Sequence, residues 1–204
     1  MEFAGRFHPW LIFPVIHVGE DPFHEYHIAY AMVKGYQGNF SKYNVMACVK
    51  HYALYGAAEA GRDYNTTDMS YPRMFNEYML PYKGAVDAGV GSVMSAFNDV
   101  NGIPATANKF LMTDVLRKQW GFKGFVVSDW GSVGEMIQHG YVKDNYEAAW
   151  KAVLAGSDMD MESRSYINHL AKLVKDKKVP IVIIDDAVRR ILRKKFELGL
   201  FDDP

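Results

Sequence analysis

Short apolar runs of strand character alternate with helical stretches along this chain, and that alternation restricts it to a parallel α/β architecture. The strand candidates are Val45–Val49, Ser92–Ala96, Gly124–Ser128 and, more weakly, Met159–Met161. Between and around them the spacing predicts helices over 25–34, 73–88, 109–119, 146–155, 166–175 and 185–198. The last is the best defined: Val188, Ile191, Leu192 and Phe196 recur at three-to-four spacing. Asp185 and Asp186 are placed in its first turn and Arg193, Lys194 and Lys195 in its final turns, each sign matching the helix dipole. Four such units make about half of an eight-stranded barrel, which takes about 250 residues when complete, so 204 residues are expected to form a partial (β/α)8 barrel.

In parallel α/β folds functional groups collect where the strands end. Lys50 and His51 follow the first candidate strand, Phe97 and Asn98 the second, Asp129 and Trp130 the third, and Glu162 and Ser163 the fourth. Asp129 is a carboxylate at a strand tip beside a large aromatic face. Sugar C–H faces stack on such rings, and a carboxylate beside a sugar can attack the anomeric carbon. Ser128 or Asp129 could equally cap the helix that follows. Lys50 and His51 are two donors suited to gripping hydroxyls or a carboxylate, although Lys50 alone could form a Schiff base with a carbonyl substrate, and the pair could be a solvated charge and a packing histidine. Arg62 and Asp63, in a small-residue loop, read as an ion pair or a ligand clamp. Asn101-Gly102 reads as a turn, and Asn98 is left outside the catalytic set.

Composition narrows the classes further. With 23 Lys+Arg against 24 Asp+Glu the net charge is −1, which disfavours a nucleic-acid or anionic-membrane binder. Cys48 is the only cysteine, so no internal disulfide or Cys-rich zinc site can form. The longest apolar run, Trp10–Val18, is about half of a membrane span, and the first twenty residues lack the features of a secretory leader. The cellular location stays open. Gly89-Val-Gly91 lacks the third glycine of a dinucleotide loop, and neither a phosphate-binding lysine loop, a His-Glu-x-x-His pair nor a Gly-x-Ser-x-Gly elbow occurs.

Val49-Lys-His-Tyr52, Gly56-Ala-Ala-Glu-Ala-Gly-Arg-Asp-Tyr-Asn65, Gly91-Ser-Val-Met-Ser-Ala-Phe-Asn98, Asn101-Gly-Ile-Pro-Ala105 and Gly121-Phe-Lys-Gly-Phe-Val-Val-Ser-Asp-Trp130 together resemble the family 3 glycoside hydrolases of the β-glucosidase branch. The similarity continues through Ala155-Gly-Ser-Asp-Met-Asp-Met161 to Phe196-Glu-Leu-Gly-Leu-Phe201. It implies a retaining double displacement on a β-linked glucoside or oligosaccharide, without cofactor or metal, in which Asp129 is the nucleophile. It further implies that Trp130 lines the sugar subsite, that Lys50 and His51 bond sugar hydroxyls, that Arg62 and Asp63 support the site, and that Met94 and Phe97 border it. The branch that hydrolyses N-acetylglucosaminides carries a Gly-His-Gly-Asp loop where this chain reads Ala57-Ala-Glu-Ala-Gly-Arg-Asp63.

Two departures accompany the resemblance. Upstream of Gly19-Glu-Asp-Pro22 the family has an Asp-Pro-Arg-Trp-Gly-Arg segment with a substrate-binding arginine, whereas this chain reads Phe7-His-Pro-Trp-Leu-Ile-Phe13. Residues 1–204 are expected to form one partial barrel domain without the first strands or the α/β sandwich domain that usually carries the acid/base glutamate. Glu59 and Glu162 are then only formal candidates for that role. A barrel left open exposes strand edges and apolar helix faces, so rearrangement, oligomerisation or another chain is expected to complete it. The alternative reading is a non-catalytic remnant that binds sugars or self-associates.

Overall fold

The structure, a computed structural model, describes residues 11–14 and 20–202. Along the chain it forms β1 (Leu11–Pro14), α1 (Pro22–Gln37), β2 (Ala47–Tyr52), α2 (Tyr71–Arg73), α3 (Leu80–Asp87), β3 (Ser92–Ser95), β4 (Asp99–Val100), β5 (Ile103–Pro104), β6 (Phe125–Val127), α4 (Ser132–Glu135), α5 (Asn145–Ala155), α6 (Ser165–Lys175) and α7 (Ile181–Glu197). Strands β1, β2, β3 and β6 make one parallel sheet in that order, and β4 with β5 a small antiparallel hairpin. The sheet is open: it is part of a barrel, as the alternation of strands and helices implies.

Three of the four expected strands form. The Met159–Met161 run instead contributes a single parallel bridge, Val127 to Met159, beside β6. Its alternate positions are aspartates, and Asp158 and Asp160 turn their carboxylates to the Val126 and Tyr166 N–H groups. Strand β1 was not expected, because a four-residue run inside a longer apolar stretch carries no period of its own. Residues 7–10 of the divergent upstream segment and Gly19 lie outside the described residues.

The sheet has two apolar faces, as a parallel sheet must. Ala47, Val49, Val93 and Val126 point to one, beneath Val33 of α1 and Tyr82, Ala85 and Val86 of α3. Met46, Cys48, Met94, Phe125 and Val127 point to the other, where Phe40, Met161, Ile191 of α7 and Leu198 pack on them. Ile191 of α7 thus packs on the face opposite α1 and α3. Its helix begins at Ile181, one turn before the expected start, after Pro180 sets an extended entry. Asp185 and Asp186 thus fall in the second turn rather than the first.

The helix expected over 109–119 forms as a π-helix, Phe110–Gln119, burying Leu111, Met112, Val115 and Leu116. Asp21 and Asp144 cap α1 and α5 by accepting from the Phe23 and Glu147 N–H groups. Asn101 and Gly102 form the two-residue turn between β4 and β5 with φ of 50° and 79°, the left-handed pair that such a hairpin requires.

Helices α1 and α3 touch at backbone distance. A Cβ placed on Gly84 would lie 2.2 Å from the Tyr26 carbonyl oxygen. Gly84→Ala therefore forces the helices apart and is expected to destabilise the chain by about 1–3 kcal/mol, read as a lower urea midpoint at unchanged slope. An unchanged midpoint would show that α1 moves freely on α3.

Candidate active site at the strand ends

The expected site residues meet at the carboxyl ends of β2, β3 and β6. Between β2 and β3 the register advances three residues on one strand for two on the other, from Val49↔Val93 to Tyr52↔Ser95. This extra residue is a bulge, and it resets the alternation of side chains. Val49 and Tyr52 both face the α1/α3 core, so Lys50 and His51 are accommodated together between them. The Lys50–His51 and Tyr52–Ala53 peptide bonds are both cis. The Tyr82 hydroxyl donates to the His51 carbonyl at 2.6 Å and ties the strand end to α3.

His51 Nε2 lies 3.2 Å from Asp129 Oδ2. The other carboxylate oxygen of Asp129 accepts from the Trp130 N–H at 2.6 Å. One carboxylate oxygen thus accepts a backbone hydrogen bond and the other lies against the imidazole, and the residue is only 9% exposed. Ser128 fixes the backbone beneath it: its hydroxyl donates to the Asp129 carbonyl at 2.9 Å and accepts from the Met161 N–H at 2.8 Å. The capping alternative for this pair is not realised, since α4 starts after Gly131 without a side-chain cap. Trp130 is 63% exposed beside the carboxylate, with its ring available to a ligand.

Burial holds the His51 imidazole below its ordinary value; the charge of Asp129 opposes this, while that of Lys50 adds to it. The imidazole therefore binds a proton less readily in the folded chain than in the unfolded one. Its contribution to stability is complete above the unfolded value of about 6.5 and is lost progressively as the pH falls through the window below it. Replacing Asp129 with asparagine removes the opposing charge. The His51 titration midpoint should then move further down, as NMR of the imidazole would record; a midpoint that stays or rises contradicts the pairing.

The remaining expected residues are arranged around this pair. Arg62 and Asp63 are exposed and form no ion pair with each other; Asp63 instead accepts from the Tyr55 hydroxyl and from the Tyr64 N–H at 3.0 Å. Burial, followed by that bond to Asp63, raises the Tyr55 hydroxyl above its usual range. The Tyr55 ring stands edge-on to His51 at 5.3 Å. Phe97 stacks 4.5 Å from Tyr64. Met94 is buried in the sheet-face cluster with Cys48, whose thiol burial pushes up to about 11. Asn98 is fully buried, bonding the Ala53 carbonyl and the Thr67 hydroxyl, and is structural. Among the described residues no group of three His, Cys, Asp or Glu side chains could hold a metal ion, and no helix is long and apolar enough to cross a membrane.

Reading from the residues did not single out Tyr55 and Tyr64, whose rings pack against His51 and Phe97.

An open set of parallel strands, with a carboxylate, an imidazole and aromatic rings at their carboxyl ends, defines a TIM-barrel-type α/β domain. The chain belongs to glycosyl hydrolase family 3: residues 17–194 match the sequence model of that family's N-terminal domain. A periplasmic β-glucosidase of Salmonella typhimurium is 48% identical over 188 residues, covering 91% of this chain and 25% of that protein. A β-xylosidase of Formosa agariphila is 37% identical, covering 90% and 27%. The crystal structure of a β-glucosidase from Listeria innocua in complex with glucose superposes with a TM-score of 0.88 at 47% identity, covering 91% and 26%, and a mutant of it has been solved with laminaribiose. The chain thus spans about a quarter of the length of these relatives.

Proposed function

We propose that this chain carries the sugar-binding and nucleophilic half of a retaining β-glucosidase site. The carrying observation is the Asp129 carboxylate, held at the end of β6 by His51 at 3.2 Å and by the Trp130 N–H at 2.6 Å, beside the open face of Trp130. A carboxylate held by a backbone N–H on one oxygen and packed against an imidazole on the other is oriented for attack before substrate arrives, so less orientation entropy is lost at the transition state. Asp129 attacks the anomeric carbon as the glycosidic bond breaks, giving a glycosyl ester that water then hydrolyses. Lys50 and His51 hydrogen-bond the hydroxyls of the bound sugar, and Trp130 stacks on its C–H face. Arg62, Asp63, Met94 and Phe97 support or border the subsite. The glucosidase relatives, at 47% and 48% identity against 37% for the xylosidase, favour a glucoside as the sugar.

A second carboxylic acid must protonate the leaving oxygen; with an activated leaving group that proton is dispensable. The test follows from this. The full chain is incubated with 2,4-dinitrophenyl 2-deoxy-2-fluoro-β-glucoside, and its intact mass and peptide map are recorded. A glycosyl adduct on Asp129 is expected. No adduct under conditions that label a full-length family member supports instead a remnant that binds sugar without reacting.

A further inference from the structure

A recess of about 220 Å³ lies between the π-helix, α5 and α7, with Lys109, Thr113, Arg117, Gly156, Asp158 and Arg190 in its lining. It is at the other end of β6 from the Asp129 carboxylate: Arg117 donates to the carbonyl of Gly124, which precedes the strand, whereas Asp129 follows it. Val153 and Ile183 give it apolar walls. Gly156 keeps it open. A Cβ there would lie 3.0 Å from Thr113 Oγ1 and 3.7 Å from Arg117 Nε, and the φ of 111° at this position is one that side chains rarely adopt.

The charges around this recess do not balance. Three cations, Lys109, Arg117 and Arg190, line it with the two carboxylates of Asp158 and Asp186. Asp158 already accepts on both oxygens, from Arg117 and the Val126 N–H on one and from Arg190 on the other. Asp186 is held by Arg189 at 3.0 Å, and Asp114, whose charge reaches Lys109, is held by Lys118 at 2.7 Å. Lys109 is thus exposed and without an ion pair among the described residues. Arg190 donates to Asp158 alone among the described residues, so most of its N–H groups are available. Arg117 Nε is buried and has no hydrogen-bond partner. A buried donor without an acceptor is costly, and an anionic oxygen relieves that cost. Surplus positive charge between apolar walls attracts an anion more strongly than the same charge on an open surface.

We propose that this recess binds a phosphate group, free or as a small monoester, with the Lys109 ammonium and the Arg117 and Arg190 guanidinium groups donating to its oxygens. Arginine meets phosphate as a planar fork and lysine as a mobile point charge, so the three together suit a tetrahedral oxyanion. Val153 and Ile183 pack against the organic part of an ester. Arg117, Gly156 and Arg190 belong to the π-helix, the end of α5 and α7, so a bound phosphate joins these three elements and stabilises the folded chain. The site is independent of the reaction at Asp129 and stands whether or not that carboxylate is the nucleophile.

The test titrates inorganic phosphate into the full chain by calorimetry, with chloride at equal ionic strength as the reference. One phosphate per chain is expected, and at ten times its Kd phosphate should raise Tm by about 3–6 °C over chloride. Lys109→Met should weaken phosphate binding at least tenfold, and Lys109→Arg should keep most of it. Lys175→Met, at the exposed end of α6, should change nothing. Thermal unfolding establishes that each variant is folded. Phenyl phosphate, titrated in parallel, identifies the source: tighter binding than inorganic phosphate means a monoester, equal or weaker binding the free ion, and either upholds the site. The same Tm in phosphate and in chloride, or a phosphate affinity that Lys109→Met leaves unchanged, overturns it.

Discussion

Asp129→Asn is expected to abolish the fluoroglucosyl adduct and to lower kcat on an activated aryl β-glucoside by about 10⁴-fold or more, the scale of removing a nucleophile that acts in one unit with its neighbours. Asparagine is isosteric with aspartate, and it keeps an oxygen to accept from the Trp130 N–H, so the loss would report the missing nucleophile and not a displaced strand. Steady-state kinetics with 2,4-dinitrophenyl β-glucoside checks this, because that leaving group departs without protonation. A variant that retains activity within tenfold would move the nucleophile elsewhere. His51→Ala should act differently: it removes the group beside Asp129 Oδ2 without removing the nucleophile, and a smaller loss is expected, on the order of 10²-fold for one orienting or stabilising donor.

The largest effect on stability is expected at Asp158. Its carboxylate is nearly buried, at 7% residue exposure, between β6, the π-helix and α7. One oxygen binds Arg117 and the Val126 N–H; the other accepts from Arg190 at 2.8 Å. Arg117 also donates to the Gly124 and Gly156 carbonyls, at 3.1 and 3.2 Å, so one guanidinium and one carboxylate join the start of β6 to the end of α5. Burial pushes the Asp158 carboxyl up and the Arg117 guanidinium down, each against the pull of the other. A desolvated pair of this kind adds little net energy, but removing one partner leaves an uncompensated buried charge. Asp158→Ala should therefore cost about 3–5 kcal/mol, a fall of roughly 6–20 °C in Tm for a chain of this size. The companion double variant Asp158→Ala with Arg117→Met should recover part of that loss. Calorimetry showing less than 1 kcal/mol for Asp158→Ala would mean that Arg117 and Arg190 find other partners.

Much of the architecture is legible in local pattern. The runs around Cys48, Val93 and Val126 are apolar, short and bounded by polar or glycine-rich residues, and each forms a strand within a few positions of where its pattern puts it. The Asn101-Gly102 turn and the periodic stripe of α7 are equally local. What the pattern misplaces depends on partners distant in sequence. Ser92–Ser95 beside it carries β2 on through Tyr52, past its apolar stretch, while the aspartates at 158 and 160 find partners that keep Met159–Met161 from becoming a full strand.

The same division holds at the site. Sequence alone determined that a carboxylate and a tryptophan follow one strand and a lysine and histidine end another, because those are properties of neighbouring residues. Only the tertiary structure decided that His51 reaches Asp129, 78 positions away, and that both residues of the Lys50-His51 pair are spared the sheet's alternation. Strict alternation would send adjacent side chains to opposite faces. The bulge opposite β3 cancels that rule, and a bulge is set by the register between two strands, which no single stretch of sequence contains.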